Sequence, residues 1–237
     1  MSGSGGELAA AVARRLEDVR KRIASACAGA GRQADAVRIL AVTKGFGAEA
    51  IEAALEAGLS DIGENYLQEA QAKFAATAWP AHPVKRHFIG SIQRNKARRI
   101  GALFDVVQTV DDLETAALLD QCARDAGKTL EVLLQVNVTG DRRAGIAPDE
   151  CAGFARELVS RDGLRLRGIM CVGPADPAAT REAFDRAAQA LRSVRAIVSD
   201  ADTLSLGMTD DLETAVAAGS TMVRLGTALF GARQAKG

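Results

Sequence analysis

Aromatic side chains are scarce in this 237-residue chain: they make up 4% of it, with one tryptophan and one tyrosine. The core must therefore be mainly aliphatic, since apolar residues as a whole reach 48%. Such a core suits buried parallel strands packed against alanine-rich helices. A chain of this length can form one large domain, and α/β barrels commonly have this size.

The sequence also lacks an excess of charge of either sign, closely spaced cysteine pairs and long apolar runs. Thirty basic residues balance thirty acidic ones, which argues against nucleic acid as a partner. The four cysteines form no CxxC pair, so the sequence predicts neither a metal site nor a disulfide framework. We find no signal-peptide core and no run long enough to cross a membrane, and we therefore expect a cytoplasmic protein without a membrane partner.

The hydrophobic pattern alternates between short apolar runs and helical periodicity. An amphipathic helix is predicted over residues 7–27, and eight strands follow, separated by helical segments. The strands are predicted at 39–44, 61–63, 87–90, 104–109, 130–138, 164–172, 203–206 and 221–225. This alternation favours a (β/α)8 TIM barrel with an extra N-terminal helix over an open doubly wound sheet. We expect one domain over residues 1–237, with an ordered core of about 8–233.

Lys44 ends the first apolar run, at the carboxyl end of a predicted strand. In a barrel of this kind the carboxyl ends of the strands form the functional face. A partly desolvated lysine there favours the neutral amine, which can condense with an aldehyde or ketone. The alternative is a lysine that merely solvates a strand end, as most do.

Two glycine turns follow the last two predicted strands, at residues 205–210 and 224–231. Each has a glycine that lets the backbone approach a ligand, and a hydroxyl residue near a helix start. Phosphate is commonly bound at this place in a barrel, so we expect a phosphate site. Arg224 precedes the second turn on an apolar strand, where it either pairs with an acidic residue or donates hydrogen bonds to a ligand.

Two further side chains and one repeat have competing interpretations. Asn65 either contacts a ligand or caps a helix, and His87 is more simply a hydrogen-bonded core residue than a catalyst. The six residues 111–116 recur as residues 210–215, with the sequence DDLETA in both copies. Both copies resemble a capping box, so the simplest prediction is that each begins a helix in the same way.

Seven motifs, in order, resemble the pyridoxal phosphate homeostasis proteins. They are AVTK (41–44), GENYLQE (63–69), HFIGSIQRNK (87–96), QVNV (135–138), RGIM (167–170), LGMTDD (206–211) and VRLGTALFG (223–231). The resemblance implies a barrel like the N-terminal domain of alanine racemase, with pyridoxal 5′-phosphate (PLP) held by Lys44 as an internal aldimine. It implies that Met208, Thr209, Gly226 and Thr227 surround the phosphate, that Arg224 faces the pyridine nitrogen, and that Asn65 lies near the ring.

The chain departs from the family pattern at several points. Gly45-Phe46-Gly47 replaces the usual Thr-Lys-Pro, so a second basic group near the cofactor is missing. Arg86 replaces a tryptophan, Arg142-Arg143 replace Ser-Lys, and Thr209 replaces the commoner serine. None of these changes removes the lysine or the glycine turns, but they bear on ligand exchange and on loop contacts.

Three functions are compatible with this pattern. The first is a non-catalytic protein of PLP (vitamin B6) homeostasis, monomeric, which binds the cofactor and supplies it to PLP-dependent apoenzymes. The second is an amino-acid racemase, although such enzymes draw a second acid/base from an additional β domain for which we expect no room here. The third is a class I aldolase that uses Lys44 without a cofactor, which explains the lysine and the phosphate site but not the set of motifs.

Overall fold

Eight short apolar segments form parallel strands that close into a barrel in sequence order, with β8 paired to β1. This computed structural model describes residues 3–232, so residue 233 of the expected ordered core lies outside the described residues. The strands are β1 (Arg38–Val42), β2 (Asp61–Glu64), β3 (Lys85–Phe88), β4 (Val106–Val110), β5 (Leu130–Gln135), β6 (Leu164–Met170), β7 (Thr203–Ser205) and β8 (Met222–Leu225). The predicted (β/α)8 barrel is confirmed.

Helices cover the outside of this barrel. They are α1 (Gly3–Gly29), α2 (Ala48–Glu56), α3 (Leu67–Ala76), α4 (Ala97–Leu103), α5 (Leu113–Asp125), α6 (Cys151–Val159), α7 (Pro177–Arg195), α8 (Leu212–Ala217) and α9 (Thr227–Phe230). Of these, α1 precedes β1, α9 follows β8, and those between them in the chain connect successive strands. Their buried residues are largely alanine, leucine, isoleucine and valine, as expected for a core with few aromatics. Small side chains let helices lie close to the barrel.

The predicted N-terminal helix is confirmed and extends beyond the predicted range at both ends. In α1, Val12, Leu16, Val19 and Ile23 are each at most 3% exposed, and they lie on one face because they recur at intervals of three or four residues. The helix packs against α2, α8 and α9. It therefore covers the barrel where the first and last strands meet.

Strand register brings distant parts of the chain together. Leu40 of β1 lies opposite Asp61 of β2 on one side and Arg224 of β8 on the other. Between β6 and β7, a Cβ atom at Gly168 would lie 1.9 Å from the carbonyl oxygen of Thr203, so only glycine allows the two strands to approach here. Because all strands run the same way, the segments that follow them meet at one end of the barrel.

Within residues 3–232, no helix has the length and apolar character needed to cross a bilayer.

The cysteines are free thiols, and three of them are buried. Burial raises the pKa of Cys151 to about 11 and that of Cys171 to about 12, so these thiols stay protonated and serve as packing groups.

Candidate functional site

A cavity of about 280 Å³ opens at the carboxyl ends of the strands, near the lower end of the ~300–1,000 Å³ range of small-molecule sites. It is lined by Val42, Lys44, Phe46, Asn65, Ile89, Met170, Val172, Met208, Thr209, Asp210, Arg224, Gly226 and Thr227. All seven binding residues proposed from the sequence line this one cavity. The structure thus brings together a primary amine, a guanidinium, an amide, two hydroxyls and a glycine turn.

Lys44 lies in a turn after β1 and not at the end of the strand itself. The strand stops at Val42, because the N–H of Phe46 turns back to the carbonyl oxygen of Thr43 (3.1 Å) and Gly45 adopts a φ of 76°. The side chain of Lys44 is half-buried. The strand predicted at 39–44 therefore ended two residues too late, but Lys44 lines the cavity as expected.

The two glycine turns meet in the wall of the cavity. The hydroxyl oxygens of Thr209 and Thr227 are 3.2 Å apart, although they come from segments that follow different strands. Gly207 has a φ of 91°, and a Cβ atom there would lie 2.5 Å from that of Ala215. Glycine is thus required for the close approach of this turn to α8.

Arg224 is 6% exposed and is held by oxygen atoms of β7 and of the residue that follows β6. It donates to the carbonyl oxygen (2.7 Å) and the hydroxyl (3.0 Å) of Ser205, and to the carbonyl oxygen of Cys171 (2.9 Å). Burial lowers the pKa of Arg224, while the nearby carboxylate of Asp211 opposes that shift. A guanidinium has five N–H donors, so these bonds leave donors for the cavity that Arg224 lines.

A chain of buried hydrogen bonds continues from Arg224 through the barrel interior. Because Arg224 only donates, the hydroxyl of Ser205 accepts a hydrogen bond from it and donates one to Oε1 of Gln108 (2.8 Å). Nε2 of Gln108 then donates to Nδ1 of His87 (2.9 Å), and Nε2 of His87 donates to Oδ1 of Asp61 (2.7 Å). The interpretation of His87 as a hydrogen-bonded core residue is confirmed.

This series of hydrogen bonds ends at the carboxylate of Asp61, which stays charged. Burial alone would raise the pKa of Asp61, but the hydrogen bond from His87 and the charges of Arg38 and Lys85 lower it below its usual value. A positive and a negative group therefore lie at opposite ends of one directed chain. This arrangement fixes the position of Arg224 without placing a carboxylate directly beside it.

Asn65 does not cap the helix that follows it. The N-cap of α3 is Tyr66, and it makes no side-chain capping bond. Oδ1 of Asn65 is buried and has no hydrogen-bond partner among the described residues, whereas buried acceptors usually have one. An acceptor of this kind on a cavity wall fits a ligand donor.

The two copies of DDLETA do not begin their helices in the same way, so that prediction was wrong. In the first copy Asp112, not Asp111, is the N-cap of α5 and accepts from the N–H groups of Glu114 and Thr115. In the second copy Asp211 makes no capping bond. It instead accepts from the N–H of Met208 at 2.6 Å, within the turn that lines the cavity.

Sequence reasoning missed several cavity residues, and their signals differ. Val42, Ile89, Met170 and Val172 end or follow apolar runs, so the strand pattern could have identified them. Phe46 packs against Phe230, with ring centroids 5.2 Å apart, and that contact has no local signal. Among the described residues, no three side chains of the metal-ligating types His, Cys, Asp and Glu come together.

The chain matches the family described as "Alanine racemase, N-terminal domain" over residues 15–234. A pyridoxal phosphate homeostasis protein of Pseudomonas aeruginosa is 44% identical over 225 residues, which cover 94% of this chain and 96% of that protein. One of Escherichia coli is 38% identical over 227 residues, covering 94% and 97%. The comparison thus extends over nearly the full length of each protein.

A solved structure gives the same result in three dimensions. The structure of PipY from Synechococcus elongatus, with PLP bound, is 32% identical and has a TM-score of 0.81. The match covers 93% of this chain and 100% of that one. This chain therefore resembles PipY in both sequence and fold over nearly its whole length.

Proposed function

This chain belongs to the family of pyridoxal phosphate homeostasis proteins, and on that premise we propose that it binds PLP in the cavity beside Lys44. The proposal is carried by one observation: a primary amine, a pair of threonine hydroxyls on glycine turns and a deeply held arginine line the same cavity. PLP presents an aldehyde, a phosphate and a ring nitrogen, which these three groups match. The buried, unpartnered Oδ1 of Asn65 adds an acceptor.

Each residue has a distinct part in this proposal. Bound PLP supplies an aldehyde that condenses with a primary amine and a ring that can withdraw electrons. Lys44 supplies the amine, while Met208, Thr209, Gly226 and Thr227 hold the phosphate. Arg224 donates to the ring nitrogen, and Asn65 contacts the ring. The cavity wall excludes water from the ring with apolar side chains.

We propose that the protein holds and supplies the cofactor and does not turn over a substrate. A guanidinium at the ring nitrogen donates a hydrogen bond and cannot accept one. It therefore does not favour a protonated ring nitrogen, and it does little to increase electron withdrawal by the ring. Racemisation also needs a proton carrier on each side of the reacting carbon. Tyr66, the one tyrosine of the chain, is 60% exposed and does not line this cavity.

We further propose that the protein acts in the cytoplasm as a monomer that binds PLP and passes it to apoenzymes. Sedimentation in the presence of PLP should give the mass of a monomer. A dimer that forms only with PLP would contradict this part of the proposal.

Titration of the purified protein with PLP tests the binding proposal. We expect a visible absorbance band that saturates near one equivalent of PLP and disappears on reduction with borohydride. Lys44→Ala should abolish the band, whereas Lys96→Ala, at the same end of the barrel but outside this cavity, should leave it unchanged. A band of equal strength in Lys44→Ala, or none in the unaltered protein, would contradict the proposal.

Chirality assays test the absence of turnover. PLP-loaded protein incubated with L-alanine should give no D-alanine at enzyme-like rates, which are on the order of 1 per second or faster. A commercial alanine racemase under the same conditions is the positive control. Turnover in that range would favour the racemase alternative.

A further inference from the structure

Lys73 of α3 lies buried directly beneath the turn that carries Lys44. Its side chain is 7% exposed, and its Nζ donates to the carbonyl oxygens of Thr43 (2.7 Å) and Phe46 (3.2 Å). These two carbonyls stand on either side of Lys44 in the chain. One ammonium therefore ties both ends of the turn formed by residues 43–46.

Two glutamates complete this cluster, which we call the Lys73 clamp: Lys73, Glu64 and Glu69. Lys73 pairs with Glu64 and, at 2.9 Å, with Glu69. Oε1 of Glu69 also accepts from the N–H of Gly45 at 2.6 Å, and Oε1 of Glu64 accepts from the hydroxyl of Thr43 at 2.5 Å. The clamp thus contacts three residues of the turn: Thr43, Gly45 and Phe46.

The burial of these charges is costly. Glu64 is fully buried, its pKa is raised by burial, and the hydrogen bond and charge of Lys73 only partly offset that shift. Its Oε2 has no hydrogen-bond partner among the described residues. Apolar residues of similar volume often stabilise a core as well as a buried ion pair does or better. The clamp is therefore poorly explained by stability alone, whereas its main-chain contacts define the geometry of one turn.

We propose that Lys73, with Glu64 and Glu69, is a positioning residue for Lys44. The clamp fixes the backbone on both sides of Lys44, so that the amine is presented to the cavity in one orientation. This inference rests on the proposed function of Lys44. Loosening the clamp should let the turn move, weaken the hold on PLP and speed the exchange of PLP to free amines.

The first test uses the protein without PLP. Amide hydrogen exchange at Gly45 and Phe46 should be about tenfold faster in Lys73→Met and in Glu69→Ala, since each loses a hydrogen bond that involves a charged group. Lys73→Met leaves a buried carboxylate unpaired and can fail to fold, so Glu69→Ala, whose side chain is 27% exposed, carries the test in that case. Unchanged exchange at Gly45 in folded Glu69→Ala would overturn the inference.

Lys128→Met is the matched control. Lys128 also bridges two main-chain carbonyls, those of Ala102 (3.3 Å) and Phe104 (3.0 Å), but it lies just before β5, at the opposite end of the barrel from the cavity. Exchange at residues 43–46 should be the same as in the unaltered protein. Faster exchange there would show that loss of any such lysine loosens the turn, which would overturn the assignment to the clamp.

The second test follows PLP itself. With hydroxylamine as scavenger, the visible band of the loaded protein should decay several-fold faster in Glu69→Ala and Lys73→Met, more slowly than those variants in Lys73→Arg, and at the original rate in Lys128→Met. Equal decay in all variants would overturn the role in PLP retention. If the unaltered protein takes up no PLP, the proposed function fails, while the exchange experiment still tests the clamp.

Discussion

The two copies of DDLETA, residues 111–116 and 210–215, have the same sequence and different tasks. In the first copy, Asp112 caps α5 and Glu114 pairs with Arg94 at the surface. In the second copy, Asp211 binds the N–H of Met208 in the cavity turn and leaves α8 without a side-chain cap. One copy stabilises a helix, whereas the other shapes the candidate phosphate site.

The cause of the difference lies outside the six residues. The second copy follows Gly207, whose φ of 91° turns the chain so that Met208 N–H faces Asp211. Its glutamate, Glu213, is bound by Arg22 of α1, which also donates to the carbonyl oxygen of Thr209 at 2.9 Å. The N-terminal helix is thus connected to the cavity through the second copy. Identical local sequence therefore does not imply identical local structure.

Asp211→Ala should have the largest effect among substitutions in the two copies. It removes the acceptor for Met208 N–H, and we expect PLP affinity to fall about tenfold, which is ~1.4 kcal/mol. Fluorescence or absorbance titration measures the change. The same substitution in the first copy, Asp112→Ala, should leave PLP affinity unchanged, and an equal loss in both variants would erase the distinction.

Asp112→Ala should instead lower the free energy of unfolding. Loss of an N-cap costs about 1 kcal/mol, which urea denaturation of the PLP-free protein can resolve. Asp112→Asn is the matched variant, because asparagine caps helices about as well as aspartate. If the alanine and asparagine variants were equally stable, the capping role of Asp112 would be wrong.

Arg22→Gln should have a smaller effect on the site. The arginine ties Glu213 and the carbonyl oxygen of Thr209 at a partly exposed position, so we expect PLP affinity to fall about threefold, in line with the ~0.2–1 kcal/mol of surface ion pairs. Arg94→Gln is the control from the first copy. A loss of affinity with Arg94→Gln would mean that both copies act on the cavity.

Lowering the pH should slightly reduce the stability that acidic side chains of both copies contribute to the fold. The hydrogen bond from Arg22 lowers the pKa of Glu213, and bonds from Thr115 and from N–H groups outweigh burial to lower that of Asp112. A carboxyl whose pKa is depressed by folding adds stability above its unfolded value and loses it as pH falls, here below about pH 4. In urea denaturation over this range, Glu213→Gln and Asp112→Asn should each lose less stability than the unaltered protein. Steeper acid sensitivity in either variant would contradict these shifts.

The sequence was sufficient for the barrel and for the seven proposed binding residues, which all line the cavity. Apolar runs identified the eight strands, and the rule that function lies at their carboxyl ends brought Lys44, Thr209 and Thr227 together although they are far apart in the chain. The interpretation of Arg224 as the ion-pair partner of an acidic residue is not supported, since Arg224 donates to oxygen atoms of Ser205 and Cys171. The interior register of the strands, which sets those partners, is not readable from local pattern.

Other features depended on contacts that leave no local trace. Lys73 looks like an ordinary helix lysine in the sequence, because two of its acceptors are main-chain carbonyls of a turn 27 and 30 residues away. Likewise, Arg86 stands where the family usually has tryptophan, and only the structure shows its two hydrogen bonds of 2.8 Å to Asp105. That departure lies at the start of β3, at the other end of the barrel from the cavity.

The most direct measurement is reduction of the PLP-loaded protein with borohydride, followed by proteolysis and mass spectrometry. PLP can react with exposed lysines in general, so the position of the label decides the question better than colour does. We predict a phosphopyridoxyl group on Lys44 in nearly every molecule and little on other lysines. A label spread over surface lysines with Lys44 unmodified would contradict the central claim that this barrel holds PLP through Lys44.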